Sequence, residues 1–177
     1  MGRSSMQKGS LSSQALLGAA QSFHGEMAAS WEALGSGGPT LSALAAVCAR
    51  AIVDPVPADQ LPEFCPEALA ILYVARHRGV IEVRGVRTAF EAPGRLLAVY
   101  VEEDATRTIA FRNQESPQVT VRFFEGFCQL CRAGMILHHL HRDFTLSRSG
   151  FERAAQIRPE EVAEGIAEAT EFGLHES

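Results

Sequence analysis

Lysine is almost missing from this 177-residue chain: Lys8 is the single one among 16 basic residues, and the rest are arginine. Cationic chemistry therefore falls to guanidinium groups, which stay charged at any working pH and present planar, forked donors. Long apolar runs are absent as well. None approaches the roughly 18–20 residues a membrane-spanning helix needs, and the opening residues MGRSSMQKGS hold no hydrophobic stretch of a secretory signal. A cytoplasmic protein without a membrane partner is expected. Cysteine is sparse, at positions 48, 65, 128 and 131, and without an export signal these are expected to be free thiols rather than a disulfide framework. Catalytic signatures are missing too. Gly35-Ser36-Gly37-Gly38 lacks the Lys-Ser/Thr pair of a phosphate cradle and follows a helical pattern instead of a strand. No serine elbow, paired-carboxylate motif or metalloprotease helix occurs, so an enzyme is not the favoured expectation and no catalytic residue is assigned.

What is present suffices for a folded core. Hydrophobic residues make up 46% of the chain and charged residues 21%, the balance of an ordinary globular domain. The net charge of −5 argues against a dedicated nucleic-acid binder. The charge is unevenly spread, however. Residues 159–177 carry six glutamates and no basic group, whereas residues 123–158 carry Arg132, Arg142, Arg148, Arg153 and Arg158 against Glu125, Asp143 and Glu152. An acidic tail thus masks a locally basic segment.

Periodicity organises the chain. Leu16, Ala20, Phe23, Met27, Trp31 and Leu34 recur at steps of three and four, as do Leu41, Leu44, Ala45, Cys48 and Ile52. Each set lies on one helical stripe, and the break Gly35–Pro39 between them predicts a helical hairpin over 11–58, after a flexible lead-in over 1–10. The Pro-rich stretch 54–62 reads as a linker. From 59 to 177 an α+β core is expected. A helix opens at Pro66 and stops at Gly79. Strands follow over 80–84, 87–91, 95–101 and 107–112, giving an antiparallel four-stranded meander flanked by helices. The nearly all-apolar Leu96–Val101 should be a central strand covered on both faces. A helix over 117–133, two short strands at 135–137 and 144–146, a helix over 149–157 and an acidic helix from Pro159 to about Phe172 complete the pattern.

Three groups of residues bear on function. Cys128 and Cys131, with His138, His139 and His141 downstream, have donor types that zinc accepts. Yet Phe124, Cys128, Cys131 and Met135 also form a helical apolar stripe, and free cysteine behaves as a small hydrophobe, so core packing is the favoured reading and zinc the alternative. Phe23, Met27 and Trp31 form the strongest aromatic stripe and are candidates for contact with a partner. Arg132, Arg142, Arg148, His139 and His141 are candidates for phosphate contacts.

The stretch from Phe124 to Ala154 includes Gly134-Met135-Ile136-Leu137 and Asp143-Phe144-Thr145-Leu146-Ser147-Arg148-Ser149-Gly150-Phe151. It resembles the second half of a winged-helix domain, and the winged-helix-like segment spans 117–157. The resemblance implies a helix ending in glycine, a strand, a wing, and a returning strand whose Phe144 and Leu146 face the core, with Ser147 or Ser149 capping the next helix. It also implies DNA as a partner. Against that, the helix at 117–133 carries Phe123, Phe124, Phe127 and Leu130 around most of its circumference, and a helix apolar nearly all round is a buried one. The expected function is therefore a non-enzymatic protein-interaction or assembly module, acting with a protein partner or as a homo-oligomer. A winged-helix DNA-binding regulator and a small metal-binding protein are the alternatives.

Overall fold

The computed structural model describes residues 38–86 and 96–173. The expected helix over 12–34, with Phe23, Met27 and Trp31, and the expected strand at 87–91 lie outside the described residues. Within them the chain is mixed α+β. In chain order the elements are α1 (Gly38–Val53), a 3-10 turn (Ala58–Gln60), α2 (Pro66–Ala75), β1 (Val80–Val86), β2 (Leu96–Glu102), β3 (Arg107–Phe111), α3 (Pro117–Arg132), β4 (Ile136–Leu140), β5 (Asp143–Leu146), α4 (Arg148–Ala154), α5 (Pro159–Ala167) and β6 (Thr170–Gly173). No described helix is long and apolar enough to cross a membrane.

The strands form one antiparallel sheet in the order β4-β5-β1-β2-β3-β6. The expectation of a four-stranded meander is corrected in two ways. Strands β4 and β5 do not stand apart as a wing, because β5 pairs with β1 through Ile81↔Phe144 and so extends the sheet. At the other edge, the helix expected to reach Phe172 ends at Ala167, and Thr170–Gly173 turns back as β6 against β3. The pull is tertiary: β3 would otherwise leave a row of backbone donors and acceptors unpaired. Strand β2 sits centrally, as its composition predicts, with Ala98, Val99, Tyr100 and Val101 all buried.

Alternation within the strands sends one set of side chains to the helices. Ile81 and Val83, Val99 and Val101, Ile109 and Phe111, Ile136, Phe144 and Leu146 meet α2 and α3 there in one continuous core. Helix α3 supplies its largest pieces. Phe123 stacks on Phe111 with ring centroids 4.7 Å apart, and Phe127 meets Phe144 edge-on at 5.1 Å. Full burial of each such ring contributes about 1.5–3 kcal/mol.

Polar side chains on α3 also hold loops in place. Gln129 accepts a hydrogen bond from the Cys65 backbone N–H (3.0 Å) and donates one to the Glu63 carbonyl (2.9 Å), fixing the entry to α2. The buried Thr120 hydroxyl oxygen accepts from the Asn113 N–H at 3.0 Å.

The expected helix–strand–strand–helix succession is present from α3 to α4. Gly134, in the left-handed region at φ 72°, ends α3 and starts β4. Phe144 and Leu146 face the core. Ser147 is the cap: its Oγ accepts from the Gly150 N–H (3.1 Å) and donates to the Gly134 carbonyl (2.7 Å). One hydroxyl thereby ties the start of α4 to the end of α3.

Candidate functional site

The residues singled out in the sequence do not gather at one point. Cys131 lies on the buried face of α3 with Val119, Phe123, Phe127 and Leu130, while Cys128 is half-buried. The closest thiol relationship joins Cys131 to Cys48 of α1, a pairing across 83 positions of sequence that no spacing motif reveals. The hydrogen bond to Cys48 and burial together push the Cys131 thiol well up from its ordinary value. Burial also raises Cys128.

The histidines lie on the β4–β5 hairpin. Nε2 of His138 is 3.0 Å from the His141 carbonyl oxygen, and its ring meets Phe144 at 5.0 Å. Nε2 of His139 is 2.7 Å from Thr145 Oγ1, a cross-strand contact. His141 occupies the turn with φ 51°. Among the described residues, no three His, Cys, Asp or Glu side chains converge in a way that could hold a metal ion.

The arginines divide by their partners. Arg142 pairs with Glu82, which also takes Arg84. Arg148 bonds Glu152 at 2.9 Å, and Arg158 bonds Glu161 at 2.6 Å. Arg122, between α2 and α5, reaches Glu168 at 2.6 Å and Glu67 at 3.4 Å. Among the described residues, Arg50, Arg132 and Arg153 form no ion pair. Arg132 and Arg50 are exposed in the last turns of α3 and α1.

Those unpaired arginines stand around a cleft of about 400 Å³. Its floor is apolar: Ala51, Pro55, Val56, Leu61, Ala133 and Met135 line it, and Ser149, Glu152, Arg153 and Gln156 of α4 form one wall. The end of α1 and the α3–β4 turn meet here closely; a Cβ added at Gly134 would lie 3.5 Å from the Ala51 Cβ. The sequence stripe on α1 predicts that Ile52 is inside with Leu41, Leu44 and Cys48. The structure buries the first three and leaves Ile52 60% exposed, with Val53 86% exposed beside it. Helical spacing sets which residues share a stripe, but only the length of the packed surface decides where the stripe stops being covered. Here the cover stops at Cys48.

A second cleft, of about 260 Å³, opens on the sheet and is polar. Glu82, Arg84, Tyr100, Glu102, His139 and Asp143 line it, and the Arg84 guanidinium lies over the Tyr100 ring at 4.9 Å. Its charges are largely satisfied internally, by Glu82 with Arg84 and Arg142 and by Arg78 with Glu102 at 3.0 Å. A network closed in this way organises a surface but offers few free groups to a ligand.

Compared with protein-family models, with curated proteins and with solved structures, the chain matches none.

Proposed function

We propose that this chain is a non-enzymatic protein-interaction module, with its docking surface where α1, the α3–β4 turn and α4 converge. One observation carries the reading. Ile52 and Val53 stand in solvent at the end of α1, next to a cleft whose floor is itself apolar. A single exposed aliphatic residue is ordinary, but two adjacent ones continuous with an apolar cleft form a patch of the kind that partners cover. Covering a side chain of this class fully contributes about 1.5–3 kcal/mol.

The histidine and arginine groups support a surface role in the same way. Arg142, Arg148 and Arg158 are held by carboxylates, and His139 is held by Thr145. Helix α3, whose counterpart in a winged-helix domain reads the DNA groove, spends its apolar face on the core.

The test is site-specific photo-crosslinking in cells that make the protein. A photoreactive residue at position 53 is compared with one at Glu160, an exposed polar site on α5. A discrete adduct from position 53 alone, with a partner identified by mass spectrometry and lost on Ile52→Ser/Val53→Ser, is the expected outcome. Equal labelling from both positions, or an adduct that survives the double substitution, removes this surface as the docking site.

A further inference from the structure

Resting on that reading, we infer that the cleft takes an acidic, apolar-anchored segment of a partner protein. The floor and the rim make separate demands. The floor, from Ala51, Val56, Leu61 and Met135, accepts an aliphatic or aromatic side chain. Ile52 and Val53 extend that apolar surface outward.

The rim sets the charge. Arg153 lines the cleft, and Arg50 and Arg132 each precede a lining residue, Ala51 and Ala133. Among the described residues none of the three is neutralised by an ion pair. Glu152, the acid in the lining, is already engaged by Arg148. The exposed Asp54, adjacent to Pro55, is the remaining opposing charge at the end of α1. Three guanidinium groups against one carboxylate leave a positive rim on a chain whose net charge is −5. Arginine forks carboxylates in bidentate pairs, and partial burial strengthens such pairs over solvent-exposed ones. A segment alternating carboxylates with large apolar side chains matches rim and floor at once. Duplex DNA would satisfy the rim alone and leave the apolar floor and Ile52/Val53 uncovered.

The experiment uses the whole chain and three fluorescent synthetic peptides of one apolar pattern, with polar positions filled by glutamate, glutamine or lysine. Binding is read by fluorescence anisotropy, and thermal melts confirm that each variant is folded. The glutamate peptide is expected to bind, to weaken as salt rises, and to lose about tenfold in affinity on Arg132→Glu/Arg153→Glu. Val53→Ser is expected to weaken it as well. The lysine peptide is expected not to bind. If the glutamate and glutamine peptides bind equally and both depend on Val53, the docking surface stands and its acidic occupant is overturned. If none of the three binds, the acidic occupant is overturned, while the crosslink from position 53 remains the judge of the surface. Displacement of the glutamate peptide by duplex DNA, with DNA binding lost on the same double reversal, overturns the protein occupant in favour of nucleic acid.

Discussion

Cys131 on α3 is hydrogen-bonded to Cys48 on α1, so the two helices meet sulfur to sulfur inside the core. Both side chains are fully buried, whereas Cys65 and Cys128 are half-buried. That contact and burial hold the Cys131 thiol up, and burial raises Cys65 and Cys128.

Thiolate, not thiol, reacts with alkylating agents. The native protein treated with a maleimide near neutral pH should therefore gain adducts at Cys65 and Cys128 and none at Cys48 or Cys131. All four should be modified after denaturation. Intact-mass and peptide mass spectrometry read the result, and native labelling of Cys131 as fast as Cys128 would contradict the placement.

The same shifts have a sign in stability. A thiol raised in the fold keeps its proton where the unfolded chain has lost it. The stabilisation is full below the unfolded thiol value, near 8.5, and is lost as pH rises through the folded value. Denaturant midpoints should fall on the alkaline side of that value. A Cys48→Ala/Cys131→Ala variant should show a shallower alkaline fall; an unchanged slope would assign it to other groups.

Phe127 bridges α3 and the sheet through Phe144. Phe127→Ala removes a fully buried ring and should cost about 3–5 kcal/mol, read from chemical denaturation. The exposed Val121 on the same helix provides the control, since Val121→Ala should change stability by no more than about 0.5 kcal/mol.

Ser147 and Gly150 seal the joint between α3 and α4. Ser147→Ala loses the cap and the bond to Gly134, and should cost about 1–2 kcal/mol. Gly150→Ala would set a Cβ 2.3 Å from the Met135 carbonyl oxygen, so α4 must move, at about 1–3 kcal/mol. Both act on one joint, and the double substitution should cost less than the sum of the two. Strict additivity would argue against the shared joint.

Asp104 organises the β2–β3 turn by accepting from the N–H groups of Thr106 (2.7 Å) and Arg107 (2.9 Å). The hydrogen bonds from Thr106 hold its carboxyl below the usual carboxylate range. Its contribution is present above the unfolded carboxylate value and is lost as pH falls through the lowered one. Amide resonances of Thr106 and Arg107 should shift together in that acid window, and Asp104→Asn should abolish the shift.

Much of this protein was readable from spacing alone. The steps of three and four that place Phe123, Phe127 and Cys131 on one face of α3, and the alternation that sends Ile81 and Val83 to the core, are local consequences of 3.6 and 2 residues per repeat. The Ser147 cap and the Gly134 stop are equally local, because a side chain a few residues away satisfies the backbone. Strand β6 and the enlistment of β4 and β5 into the sheet were not readable. Pairing depends on which edge is left open once distant segments have packed, and the sequence around Thr170 carries no mark of β3. The Cys48–Cys131 contact and the unpaired state of Arg50, Arg132 and Arg153 belong to the same class. So does the exposure of Ile52, which continues a core stripe in sequence but lies past the last residue that other elements cover. Periodicity decides which side chains share a face; only the meeting of remote elements decides how far that face is buried and which charges find a partner.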